Sequence, residues 1–408
     1  MKKSVLRNYA KLIAKVGANV QKGQDVMITA NVSQELLASF VSEECYKLGA
    51  RIVTITWTSD LATKVDYKKA KVKDLAEVPT WKIEKQKYIN KQLPVMIYID
   101  SDDPDGLKGV SQRKIAQVSR LVYPIIKPFR DERDNKYQWV IAGASSENWA
   151  KKVFPDLPKK KAIEKLWDAI LKTSRCDDDP IKAWEEHNAD LAKRSDFLNS
   201  LDIDYLEYHS KNGTDFKVWL NNKVKWESGG EYTLGSHVFF NPNIPTEECF
   251  TSPIKGKAEG IVYASKPLSY QGQLIKNFSI RFENGKAVEV HAEENEALLK
   301  EMISMDEGAP YLGEVALVPF DSPINQTGIL FYNTLYDENA ACHLALGVGF
   351  ANVLKDYEKY TLDECREKGI NDSMIHVDFM IGNEDMNITA LTRDGKRVSI
   401  FKNGEWAF

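Results

Sequence analysis

Short apolar runs alternate with amphipathic, helix-length stretches through the first half of the chain. Asp25 to Ala30 reads as an apolar strand, and Arg51 to Trp57, Val95 to Asp100 and Gln138 to Ala142 repeat the pattern. Between the first two, Leu36, Leu37, Phe40 and Val41 recur at helical spacing behind Ser33, which can cap the helix that Gly49 closes. Ser4 can likewise cap a helix running to about Val16. Strand and helix in alternation predict a mostly parallel, helix-covered sheet, so the N-terminal domain is expected to be α/β.

From Lys159 to Leu198 the pattern turns helical, with Pro180 suited to a helix start and Trp184, Leu191 and Leu198 near heptad spacing. Short strands follow at Tyr205 to His209, Phe216 to Leu220 and Val238 to Phe240. A hairpin pairs Phe278–Phe282 with Ala287–His291 around Asn284-Gly285, the dipeptide suited to the positive φ angles of a type I′ turn. A chain of 408 residues exceeds what one core normally supports. The expectation is an α/β domain with a helical linker over residues 1–199, then an α+β, β-rich C-terminal catalytic domain over 200–408.

Within that second half, Ile375 to Ile381 sets His376 and Asp378 among apolar residues. Period-two alternation puts both on one strand face, while Ile375, Val377, Phe379 and Ile381 fill the other. A half-buried carboxylate calls for a cation, a metal or a dense hydrogen-bond network in front of it. A core histidine satisfied by a neighbouring aspartate meets the same need.

Composition narrows the classes. The chain is 43% hydrophobic and 28% charged with a formal net charge of −4, which gives no basic surface for nucleic acid or an anionic membrane. Cys45, Cys176, Cys249, Cys342 and Cys365 are odd in number and scattered, unlike a disulfide framework or a zinc ribbon. No run reaches transmembrane length and the N-terminus lacks a signal-like apolar core, so a cytoplasmic protein is expected. No Gly-x-Gly-x-x-Gly or Walker loop follows the strands, leaving a nucleotide role with only the fold class behind it. Asp100, Asp102, Asp103 and Asp105 could approach a cation, but Pro104 and Gly106 among them favour a turn.

Three further segments carry chemistry. Glu247 and Glu248 sit beside Pro245, Glu314 stands at the mouth of an apolar strand, and His343 falls in a run of small residues that reads as helix. Each alone has a structural reading: a solvated acid pair, a strand-end charge, a packed histidine. With His376 and Asp378 they supply two imidazoles and at least three carboxylates, a set suited to zinc, manganese or cobalt and rich enough for two ions. A two-metal centre activates water and polarises a carbonyl, which suits hydrolysis of an amide or ester. Neither a nucleophile elbow nor a His-Glu-x-x-His helix is present.

The segments Thr246-Glu-Glu-Cys-Phe-Thr-Ser-Pro, Leu312-Gly-Glu-Val-Ala-Leu-Val, Leu330 through Gly347 and His376-Val-Asp-Phe-Met-Ile-Gly resemble the thermophilic aminopeptidase family of metallopeptidases, which spans aminopeptidases T, S and PepS. Asn8 to Gly17 and Val20 to Gln24 extend the resemblance across nearly the whole chain. It implies a cytoplasmic, homodimeric aminopeptidase that takes peptide substrates and holds two divalent metal ions (zinc, cobalt, manganese or magnesium). The family's metal ligands fall on Glu248, Glu314, His343, His376 and Asp378, and Glu247 becomes the candidate proton shuttle. A family tyrosine ligand seven residues after the helix histidine is replaced by Phe350, on the same face if the segment is helical. Loss of that phenol implies a weakened metal shell and, as an alternative function, an impaired or specialised metal-binding relative. Tyr332 and Tyr336 lie near enough in sequence to lend a phenol, and His209, His237 and Tyr270 could line the cavity.

Overall fold

The computed structural model describes residues 2–408 as two compact units. One takes residues up to Asn188 together with Gly229–Thr246, and the other takes Ala189–Ser228 together with Glu247–Phe408.

The first unit is built on a parallel sheet. Its five strands run in the order Asn243–Ile244, Trp139–Gly143, Val95–Asp100, Asp25–Asn31 and Ile52–Thr58. The apolar runs become the central strands because both faces are covered: Val26, Ile28, Val95, Ile97, Val140 and Ala142 are almost wholly buried. The fold class is therefore α/β here, as the alternation implies. The edge strand Asn243–Ile244 arrives from a distant segment whose two-residue pairing carries no periodicity to read.

Helix starts differ from expectation. Ser4 lies inside helix Lys3–Leu12, which begins without a side-chain cap. Ser33 lies in the 3-10 turn Val32–Gln34, where Asn31 Oδ1 accepts its N–H at 3.0 Å, and helix Glu35–Lys47 follows. The neighbouring asparagine thus takes the capping role at that entry. Asp100 to Asp105 forms turns in which Asp100 and Asp103 accept backbone N–H groups two residues on, at 3.2 and 2.9 Å. Helix Pro180–Ser200 starts at the proline, and Trp184, Leu191 and Leu198 are fully buried.

The second unit is strand-rich and antiparallel. A nine-stranded sheet carries the hairpin Gln273–Glu283 with Lys286–Glu294, turning at Asn284 and Gly285 with φ of 49° and 75°. A second sheet orders His376–Met380, His343–Gly347, Leu312–Leu317, Cys249–Thr251 and Glu227–Ser228.

In the large sheet Glu207 is buried yet ionised. Its hydrogen bonds with Arg397 and Lys217, the latter at 2.9 Å, hold its carboxyl below the usual 4.5 against the opposing cost of burial. A depressed carboxyl stabilises the fold above its unfolded pKa and loses that contribution as pH falls through the folded value. Both cations are largely exposed, so Glu207→Gln is expected to cost about 1 kcal/mol at neutral pH. Thermal unfolding checks this: the gap between wild type and variant should shrink between neutral pH and about pH 3.

Candidate metal centre

The second sheet brings the sequence-predicted acids and imidazoles to one face. Cross-strand partners share a face, and the register pairs Ala345 with both Glu314 and Asp378, Gly347 with His376, and Ala316 with His343. Ala345, Ala316 and Gly347 alternate with the charged groups, so the face has room between its polar side chains. The neighbouring antiparallel pairing of Cys249 with Leu317 gives Glu248 the parity of Glu314.

Two glycines shape this region. Gly347 has φ of +107°, and a Cβ there would lie 2.0 Å from Ile375 O. Gly313 stands at the irregularity between Leu312 and Glu314, where a Cβ would meet Val348 O at 2.2 Å. That same carbonyl accepts from His376 Nδ1 at 2.8 Å.

The donor atoms form two groups that share one residue. Glu248, Glu314 and His343 make the first, and Glu314, His376 and Asp378 the second, with ligand atoms within 4.8 Å of one another in each. His343 Nε2 lies 3.1 Å from Glu248 Oε2 and 3.6 Å from Glu314 Oε1. His376 Nε2 lies 3.3 Å from both Glu314 Oε2 and Asp378 Oδ1. Each oxygen of Glu314 therefore faces a different histidine.

Both imidazoles are oriented by main chain. His343 Nδ1 contacts Ala341 O at 3.1 Å and His376 Nδ1 contacts Val348 O. A carbonyl only accepts, so Nδ1 carries a proton in each ring and Nε2 faces the acids, either protonated toward them or, with a cation in place, as a lone pair. Glu248 Oε2 is buried without a hydrogen bond, despite its closeness to His343 Nε2. An orphaned carboxylate oxygen and two Nε2 atoms converging on the same acids are the donor set of a divalent cation.

Charge points the same way. Burial pushes Glu248 and Glu338 up, while Asp378 is held below its ordinary value by His376 against the cost of burial. Burial opposes the imidazolium forms of His343 and His376, but the facing carboxylates outweigh it and raise both well above 6.5. The cluster attracts positive charge strongly.

Several expectations change. His343 begins the strand His343–Gly347 and is not on a helix, because the five-residue run is buried on both faces between two partner strands. A short apolar run looks alike in a buried helix and a buried strand. Phe350 therefore does not share a helix face with His343; its ring packs 5.0 Å from His376 and 5.5 Å from Phe250, with its N–H on Ser252 Oγ at 2.9 Å. Glu247 and Glu248 are buried rather than solvated, and Glu314 lies within Leu312–Leu317. Glu247 stands outside the two converging groups, its N–H donated to Asn339 Oδ1 at 2.7 Å. Tyr336 stacks on Phe331 and Tyr332 has φ of 57°. His209 faces Asp215 at the surface, His237 stacks on Tyr232, and Tyr270 is half-buried beside Gln271.

Sequence reasoning missed Glu338. It ends helix Thr334–Glu338, and its carboxyl lies close enough to Asp378, Glu248 and Glu314 for their charges to add to the effect of burial in pushing it up. Reading residues 337–347 as one helix hid it, although an acid at the edge of a small-residue run was a usable signal.

Fold and site together give an antiparallel sheet bearing a cluster of acids and imidazoles with the donor set of a divalent-metal site. The family model described as thermophilic metalloprotease (M29) matches residues 2–406. Aminopeptidase AmpS of Bacillus subtilis is 41% identical over 99% of this chain and 98% of its own length, and Aminopeptidase T of Thermus aquaticus is 36% identical over 98% of each. The structure of wild-type AmpT from Thermus thermophilus aligns over 100% of both chains with a TM-score of 0.90 and 35% identity. A dioxygenase from Pseudomonas putida, at 13% identity and a TM-score of 0.54, shares the fold alone. The chain belongs to the thermophilic metalloprotease family, and is thus a metal-dependent peptide hydrolase.

A cation bound only by the folded state stabilises it by about 2.7 kcal/mol at a free concentration a hundred times Kd. Chelation is expected to lower the melting temperature and readdition of a divalent metal to restore it. Differential scanning fluorimetry with and without chelator checks this.

Proposed function

We propose that the protein is an aminopeptidase that releases N-terminal amino acids from peptides through a metal-activated water at a two-metal centre. The observation that carries this reading is Glu314, whose two oxygens each face a separate group of donors. Glu248 and His343 would complete one position, and His376 and Asp378 the other. When bound, two divalent ions supply Lewis acidity and lower the pKa of a water molecule. Four carboxylates, counting Glu338, would balance the charge of two such ions.

The chain's own groups then hold and orient. His343 and His376, fixed at Nδ1 by carbonyls, present Nε2 at set directions. Burial of Glu248, Glu314, His343 and Asp378 keeps competing water off the site. Glu247, buried next to a ligand, is assigned proton transfer to the leaving amine. The printed names of the relatives support the peptide N-terminus as substrate. Five free, buried cysteines support a reducing, cytoplasmic setting. Zinc, cobalt, manganese or magnesium as the metal, a homodimer, and catalysis within residues 200–408 complete the reading.

A second reading, an impaired or specialised metal-binding relative, draws on Phe350, whose phenyl ring beside His376 offers no oxygen to a metal.

Glu248→Ala is expected to remove metal and abolish hydrolysis of leucyl p-nitroanilide without loss of fold; full metal content and activity would refute the assignment. Glu247→Gln should keep its metal while kcat falls by roughly 10²–10⁴. Metal content per chain, measured beside kcat, separates the two roles. Phe350→Tyr distinguishes the second reading: a gain in turnover of about tenfold or more favours impairment, and unchanged turnover rejects it.

A further inference from the structure

Asn339 follows Glu338 and is fully buried. A primary amide costs free energy in such a place unless its oxygen and both N–H groups find partners. Oδ1 accepts the N–H of Glu247 at 2.7 Å, across 92 residues of sequence. Nδ2 donates to Leu335 O at 2.9 Å and lies 3.4 Å from Glu338 Oε1. Its main-chain oxygen accepts from Ser322 Oγ at 2.6 Å, and Ser322 is itself buried.

One amide therefore joins segments that are otherwise distant in sequence. The N–H of Glu247 fixes the chain immediately before Glu248 and the strand Cys249–Thr251. The contact with Glu338 steadies a carboxyl near enough to Asp378, Glu248 and Glu314 to feel their charges. The bond to Leu335 closes helix Thr334–Glu338, five residues before His343. A leucine would fill the same volume without these bonds, so space-filling alone gives no reason for an amide here.

We propose that Asn339 is a positioning residue of the metal centre, clamping the Glu247–Glu248 main chain to the Glu338 carboxyl so that Glu248 and Glu338 keep their aim. This rests on the two-group metal reading of the site. Asn339 touches no reacting atom and acts through the acids it holds. Partners of this kind, which orient metal ligands without binding the ion, typically alter metal affinity by about 10- to 100-fold.

The test is titration of metal-free protein with cobalt(II), followed by visible absorption and calorimetry, on wild type, Asn339→Leu and Asn339→Ser. Both variants delete the Glu247 bond, and the smaller serine keeps the test open if leucine prevents folding. The expected result is cobalt affinity at least about tenfold weaker than wild type, with an altered absorption envelope in variants whose circular dichroism is unchanged. Variants that melt lower but bind cobalt with wild-type affinity and spectrum would overturn the positioning role and leave the metal reading intact. Wild type that binds no cobalt would overturn both.

Discussion

Several carboxylates held out of water beside two imidazoles are the constraint that the second unit is built around. Unpaired, each buried charge carries a desolvation cost of several kcal/mol, so the cluster persists only if a cation or a dense set of hydrogen bonds answers it. Part of the answer is backbone: two carbonyls hold the imidazoles, and the Asn339 amide ties down the segment that carries Glu248. What remains unanswered, above all Glu248 Oε2, is aimed where His343 and Glu314 also point. On the proposed reading the folding problem and the chemical one share a solution, because a cation that relieved the acids would also be the reagent for hydrolysis.

An antiparallel sheet suits this arrangement for geometric reasons. Opposed residues on adjacent strands approach within about 5 Å, so alternate positions on three strands can converge without long side chains. Small residues at Ala316, Ala345 and Gly347 leave the intervening space open. Gly313 lets its strand pass close to the very carbonyl that orients His376, so backbone packing and ligand direction are set by one contact. The parallel sheet of the first unit has no such cluster among the described residues.

How far the sequence revealed this depended on whether the signal was local. The parallel strands were legible because runs such as Val95 to Asp100 are apolar and bounded, and the hairpin because Asn284-Gly285 suits only a narrow range of backbone angles. His376 and Asp378 were legible as face-sharing neighbours from period two alone. His343 was not: Ala340, Ala341 and Ala345 favour helix locally, and strand pairing on both sides overrode that preference. Glu338 was obscured by the same misreading. That Glu248, Glu314, His343, His376 and Asp378 converge was anticipated from their residue types and the family resemblance, whereas the carbonyls behind the histidines and the reach of Asn339 to Glu247 span separations that no local pattern records.

The two halves of the site are also unequal, which bears on the place of Phe350. The His343 side chain is 1% exposed and enclosed by Glu248 and Glu314, whereas that of His376 is 24% exposed. Phe350 lies against His376, and its backbone is held by Ser252, so the ring occupies an ordered place. It also packs with Phe250 against the apolar group around Val353 and Leu354. A phenyl ring at that position offers no oxygen and forms an apolar wall beside the imidazole. Phe350 thus bears on the His376 half alone, while the Glu314, His343 and Glu248 group, and the backbone that aims it, make no ring contact with it.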